Sequence, residues 1–168
     1  MPRLFALDHN FPQPIVYVLA DLFEEQSRLV PIDQVDARLP ELDDWEVLLA
    51  LHHHPDPWDG LITTDSGMLS LPRELWVLMR TKLSLVVAIE SGDDPIKATG
   101  LLFTHLLSIC ARTRPERAQI WRLAARDRQW TDPMEEVEKA AAHRNISTGE
   151  FLAEGQLGPV AFNRDPLE

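Results

Sequence analysis

Short apolar runs alternate with longer stretches of helical periodicity over the first 125 residues. Arg3–Leu7 is an apolar run that ends at Asp8 and reads as a strand. Pro12 and Pro14 follow, and then Val16, Leu19, Ala20, Leu22 and Phe23 recur at helical spacing. Proline suits a helix's first turn, whose N–H groups have no partner inside the helix. Arg28–Ile32 reads as a second strand. Asp43 or Asp44 then caps a helix from Trp45 to about His53, with Val47, Leu48 and Leu51 on its apolar face. Pro55 and Pro57 stop it. Gly60–Thr64 reads as a third strand, closed by Asp65-Ser66-Gly67, and Pro72 opens a helix to about Lys82. Leu83–Ile89 is continuously apolar and rich in valine, the pattern of a buried parallel strand. Ser91-Gly92-Asp93-Asp94-Pro95 forms a loop and cap, and a long helix runs on to about Arg112. Gln119–Ala124, with Ile120, Trp121 and Leu123, fits a strand or a helix equally.

Strands alternating with helices predict a three-layer α/β domain with a mostly parallel central sheet of about four to five strands. Residues 1–128 form this domain. Residues 129–168 read as a C-terminal helical extension and tail. In it, Asp132-Pro133 starts a helix to His143, and Ser147-Thr148-Gly149-Glu150 caps one more turn. The last dozen or so residues, with Gly155, Gly158, Pro159 and Pro166, read as a loose tail. Met134, Val137 and Ala141 make an apolar stripe for the body of the protein or for a partner helix.

A chain of 168 residues fits one domain. The one cysteine, Cys110, cannot form an internal disulfide and reads as a core residue on an apolar helix face. A charge at Asp8 comes too early for a signal peptide, and no apolar run approaches the roughly 18 residues of a membrane helix. A soluble, cytoplasmic protein without membrane contact is expected. The net charge of −11 excludes a protein that coats nucleic acid through general basicity. That charge is uneven. Residues 1–59 carry three basic and twelve acidic side chains, whereas residues 73–128 carry ten basic and six acidic. Arg112, Arg114, Arg117, Arg122, Arg126 and Arg128 face only Glu116 and Asp127 in their stretch. They either track an RNA backbone or pair with the acidic ends of the same chain. Trp121 and Trp130 either stack on bases or fill the core.

In open parallel sheets, ligand sites lie beyond the carboxyl ends of the strands. Asp8 follows the first strand there and Asp65 the third. Asp44 begins a helix whose N-terminus can lie over the same edge. The three are 36 and 21 residues apart, so only the fold can gather them. Converging carboxylates repel one another and need a cation. Hard oxygen ligands suit Mg²⁺ or Mn²⁺, which polarises a phosphate and activates water. The plainer reading is that all three aspartates are caps and turn residues.

Asp8-His9-Asn10-Phe11-Pro12 after an apolar strand resembles the opening Asp-x-Asn-x-Pro of PIN-like nucleases. Asp44-Trp45-Glu46-Val47-Leu48 resembles their acidic helix start, and Gly60–Asp65 their strand ending in Thr-x-Asp. Leu85–Ile89 falls where the family's next strand falls. Order and spacing agree over residues 3–125. The resemblance implies a PIN-like α/β/α fold and a metal-dependent endoribonuclease, often the toxin of a toxin–antitoxin pair. It implies RNA as substrate and a cognate antitoxin protein as partner, and leaves a homodimer open. It makes Asp8, Asp44 and Asp65 the catalytic, metal-binding carboxylates. Asn10 supports Asp8 or the metal's water shell, and Thr64 supports Asp65 or a phosphate. The basic stretch, with Arg112, Arg114 and Arg117, would then bind the RNA substrate. Many members carry another acid just beyond Thr-x-Asp, where this chain has Ser66, Gly67 and Met68. Asp43 and Glu46 compete with Asp44 for the second position, and Asp93 or Asp94 could supply a further ligand. A catalytically inactive PIN-like module that binds RNA or protein is the alternative.

His52-His53-His54 cannot converge on one ion, because adjacent helical side chains point about 100° apart. Histidine at a helix C-terminus suits the helix dipole. His9 lies inside the first motif and could face substrate. Ser66 has no histidine placed to activate it and reads as a turn residue.

Overall fold

The computed structural model describes residues 2–91, 94–125 and 128–168, with the side chains of 14, 15, 18, 19, 128 and 129 outside that description. Six strands form one sheet: β1 (Arg3–Leu7), β2 (Ser27–Pro31), β3 (Gly60–Thr63), β4 (Ser84–Ala88), β5 (Gln119–Leu123) and β6 (Arg128–Thr131). Their order is β2-β1-β3-β4-β5-β6. The first five are mutually parallel, and β6 returns antiparallel to β5. Six strands exceed the four to five expected. The addition is β6, a short edge strand in which Trp130 faces Trp121 across the pair.

Alternation along the strands sorts side chains onto two faces. Phe5, Leu7, Ile62, Val86, Ala88, Trp121 and Leu123 belong to a core with α1 (Gln13–Ala20) and α5 (Pro95–Arg112). Ala6, Leu61, Leu85, Val87 and Ile120 belong to the other core. There they meet α2 (Ile32–Val35), α3 (Asp44–His53), α4 (Pro72–Arg80), α6 (Pro133–His143) and α7 (Thr148–Gly155). The domain thus has three layers, helices on both faces of a mostly parallel sheet. Central strands β3 and β4 are buried along their whole length, which is why their sequences read as unbroken apolar runs.

Helix starts follow local chemistry. Asp94 accepts hydrogen bonds from the Ile96 and Lys97 N–H groups at 3.0 and 3.1 Å and places Pro95 in the first turn of α5. Asp132 does the same for Met134 (3.0 Å) at the start of α6. Ser147 and Glu150 cap α7 reciprocally: Glu150 N–H donates to Ser147 Oγ (3.1 Å), and Ser147 N–H donates to Glu150 (2.9 Å). That closure carries α7 through eight residues, two turns rather than the one expected.

Residue 128, where the sequence divides into domain and extension, lies at the start of β6. The segment beyond it shares the main core. Val137, Ala140, Ala141, Phe151 and Leu157 are buried with residues of α3 and α4. The expected loose tail contains α8 (Pro159–Phe162), whose Phe162 packs edge-on against Trp76. Phe162 also explains the histidine run. His53 Nε2 donates to the Phe162 carbonyl at 2.9 Å, and the His52 ring lies beside the Phe162 ring. Burial, helped by His53 and Lys82, holds His52 below the usual imidazole range. Among the described residues, no helix is long and apolar enough to cross a membrane.

Gly100 lies within α5 with open space where a Cβ would go. Gly100→Ala is expected to raise stability by about 0.5–1 kcal/mol by removing backbone freedom from the unfolded chain. Chemical denaturation checks this as a higher midpoint at unchanged slope.

Candidate functional site

The chain runs from β1 to β2 on one side, then crosses β1 to begin β3 on the other. The sheet order therefore reverses between β1 and β3, and a crevice opens above their carboxyl ends. Asp8 follows β1 directly. Its N–H donates to the Ile62 carbonyl at 2.9 Å, extending the β1–β3 ladder by one step. Its side chain is buried, and three donors satisfy it. Thr63 Oγ1 donates to Oδ2 at 2.7 Å, His9 Nδ1 contacts Oδ1 at 2.9 Å, and Asn10 Nδ2 reaches Oδ2 at 3.5 Å. A buried carboxylate needs such partners. The Asn10 contact is the weak one, at the long limit of hydrogen bonding.

Asp65 stands at the end of β3. Its N–H donates to Thr63 Oγ1 at 2.9 Å. Its Oδ1 accepts from Gly67 N–H at 2.7 Å, which fixes the single 3₁₀ turn Ser66–Leu69. One hydroxyl therefore links the two strand ends: it donates to Asp8 and accepts from the backbone of Asp65. The support expected of Thr64 comes from Thr63. Thr64 Oγ1 instead reaches the Asn10 carbonyl at 3.4 Å. A cleft of about 430 Å³ lies above this edge, lined by Asn10, Thr64, Asp65, Asp94 and Ala98. Asp94 thus shares this cleft with Asp65, while its carboxylate caps α5. Asp93 lies outside the described residues.

Asp43 is the N-cap of α3, where Glu46 accepts from its N–H at 3.0 Å. Asp44 is the first helical residue, and capping falls to its neighbour. Burial holds the Asp44 carboxyl above the usual carboxylate range, and the negative charges of Asp8 and Asp65 push it further up. Asp44 thus lies in the field of the other two aspartates singled out in the sequence. Glu74, buried in the first turn of α4, is a fourth acid that sequence reasoning passed over. Burial raises its pKa, and Asp44 adds to the rise. Its sole sequence signal is an acid at the third position of a Pro-started helix, a common arrangement with no chemical mark of its own.

The donor set is all hard oxygen: three carboxylates, the Asn10 amide and the Thr64 hydroxyl. In chemistry it fits Mg²⁺ or Mn²⁺. Among the described residues, no three His, Cys, Asp or Glu side chains stand close enough to form a ready cage. Asp8 turns instead toward Thr63, His9 and Asn10.

Arg112, Arg114 and Arg117 do not join this site. Helix α5 carries the chain back across the sheet, so its C-terminus and the loop to β5 lie at the amino ends of the strands. The separation is the length of a five-residue strand, roughly 15 Å. On the acidic edge, Arg122, Lys139, His143 and Arg144 surround a cavity of about 570 Å³ that also touches Ser66. Buried Glu136 holds Arg122 at 3.0 Å and Lys139 at 2.8 Å. Arg126 lies outside the described residues, as does the side chain of Arg128. Cys110 is buried, and burial pushes its thiol up to about 11, which leaves it unreactive at neutral pH.

The shift at Asp44 has a sign for stability. Its pKa is higher in the folded chain than in the unfolded one. Ionisation therefore costs stability above the folded value, and the cost vanishes below the unfolded value. Asp44→Asn is expected to raise the melting temperature at pH 7 in EDTA. The gain shrinks as pH falls toward about 4, into the ordinary carboxylate range. Thermal unfolding of both proteins at several pH values checks this. A variant less stable than the parent at pH 7 would contradict the repulsion.

No family model, curated protein or solved structure matches this chain.

Proposed function

We propose that the protein is a PIN-like, divalent-metal-dependent ribonuclease of the cytoplasm. The observation that carries this reading is the Thr63 hydroxyl, which donates to the Asp8 carboxylate and accepts from the Asp65 backbone N–H at adjacent strand ends, with Asp44 in the field of both acids. Repulsion of that kind is costly to keep unless a cation uses it. Asp8, Asp44 and Asp65 would hold Mg²⁺ or Mn²⁺. When bound, the ion supplies Lewis acidity toward a phosphodiester.

The chain's own residues do the rest. Thr63 orients Asp8 and fixes the backbone of Asp65. Asn10 holds the loop after β1 over the cleft. His9 is half exposed and anchored on Asp8 through Nδ1, so it can carry a proton at Nε2. Arg122, Lys139 and Arg144 lie on the same edge to attract the RNA backbone. A cognate antitoxin protein remains part of the proposal through the family resemblance.

The test is incubation of purified protein with a mixed RNA pool in Mn²⁺ or Mg²⁺, with EDTA as control. Cleavage that EDTA abolishes is the expected result. A second reading, a catalytically inactive PIN-like module, is favoured by the three donors that already satisfy Asp8 and by Ser66, Gly67 and Met68 in place of a further acid. It expects RNA to be retained on the protein and left intact with either metal.

A further inference from the structure

A third cavity, of about 430 Å³, opens at the opposite edge of the sheet, between the C-terminus of α5 and the β5–β6 ribbon. Arg112, Thr113, Arg114, Arg117, Trp121 and Trp130 line it, and among the described residues no acidic side chain does. In a chain of net charge −11 that concentration is distinctive. Among the described residues, no carboxylate pairs with any of the three arginines. The Arg117 guanidinium stacks on the Trp130 ring at 4.8 Å, and Trp130 is 38% exposed. The wall itself is unsatisfied. Of the seven buried side-chain polar atoms without a partner among the described residues, three belong to it: Thr113 Oγ1, Arg117 Nε and Trp121 Nε1. Two of these are obligate donors, and native proteins rarely leave such groups unpaired.

The rim is rigidly built. Gln119 accepts from the Arg114 N–H and donates to the Arg112 carbonyl. Arg3 donates to the carbonyls of Cys110 (3.3 Å) and Thr113 (2.7 Å). The loop that carries the arginines is therefore fastened to the sheet on both sides.

We propose that this cavity binds a phosphorylated nucleoside, either a free nucleotide or the 5′-phosphorylated end of an RNA strand. The guanidinium groups of Arg112 and Arg114 take the phosphate, because planar, permanently charged donors match its oxygens. The Arg117–Trp130 stack gives the base an aromatic and cationic platform. The volume lies within the range of small-ligand pockets, about 300–1,000 Å³. The site lies at the other end of the strands from the carboxylates, and its occupancy does not depend on metal or cleavage.

Calorimetric titration of the full chain in EDTA with AMP, inorganic phosphate and a 5′-phosphorylated eight-nucleotide RNA tests this. AMP is expected to bind saturably, and more tightly than inorganic phosphate. Arg114→Glu and Trp130→Leu, both at exposed positions, should each weaken AMP about tenfold or more, the worth of one lost stacking or charge-assisted contact. Asp65→Asn should leave it unchanged. The RNA arm decides the source: tighter binding than AMP assigns the site to an RNA end, and equal or weaker binding to a free nucleotide. No binding of AMP or RNA up to millimolar concentration overturns the proposal. So does binding that neither variant weakens, or phosphate binding as tight as that of AMP.

Discussion

Asp65→Asn is expected to lower metal-dependent RNA cleavage by more than about 100-fold while leaving the protein folded. The substitution keeps the Oδ1 that accepts from Gly67 N–H, so the 3₁₀ turn and the backbone link to Thr63 survive. What it removes is charge. Changing a residue that merely supports a metal ligand typically costs 10–100-fold, so losing a ligand charge should cost more. The neutral amide also weakens the repulsion on Asp44, so the variant should melt no lower than the parent in EDTA. Initial rates of cleavage in Mn²⁺, measured beside a melting curve, separate the two effects. Cleavage within a factor of about three of the parent would remove Asp65 from the site. Cleavage lost together with the fold would remove the argument from charge.

The second large effect concerns the C-terminal segment. Gly155 ends α7 against the start of α4, and a Cβ there would stand 2.2 Å from the Pro72 carbonyl oxygen and 2.7 Å from the Arg73 nitrogen. Both are backbone atoms and cannot swing away. Gly155→Ala must lift α7 off α4, disturbing buried Phe151 and Leu157. The expected loss is about 3 kcal/mol, the upper range for overpacking. In a chain of this length that corresponds to a fall of about 6–12 °C in melting temperature. Gly158→Ala is the matched control, because nothing stands within 4 Å of its added Cβ. Equal melting temperatures for the two variants would mean that residues 148–162 contribute little to the fold.

The layers were legible because buried parallel strands announce themselves. Leu83–Ile89 and Gly60–Thr64 leave little choice but strands covered on both faces. The sixth strand was not legible. Arg128–Thr131 is four residues with one large apolar side chain, and it exists because Trp121 offers a cross-strand partner for Trp130. The tail was misleading for a related reason. Gly155 and Gly158 look like flexibility, but Gly155 is there because another backbone passes too close for any side chain.

At the site, the acids at strand ends could be read from sequence, since a strand that stops at an aspartate places it on the carboxyl edge. Which of Asp43 and Asp44 caps α3 depends on one residue of register, decided by Glu46 folding back on Asp43. The exchange of Thr64 for Thr63 is also a matter of register: the side-chain period of two turns Thr63, not Thr64, toward Asp8. The position of the arginines followed from topology alone. A helix that joins two parallel strands must end at the amino edge, so the end of α5 could never lie beside Asp8. Reading basic residues along the chain, without asking which edge each connection reaches, placed them on the wrong side.

The central claim is that three carboxylates from separate elements hold one kind of divalent cation. Titration of the metal-free protein with Mn²⁺, followed by calorimetry or by the electron paramagnetic resonance of free Mn²⁺, tests it most directly. Saturable binding is expected, weakened by at least about tenfold in both Asp44→Asn and Asp65→Asn. Absence of saturable binding, or equal binding by the parent and both variants, would contradict it.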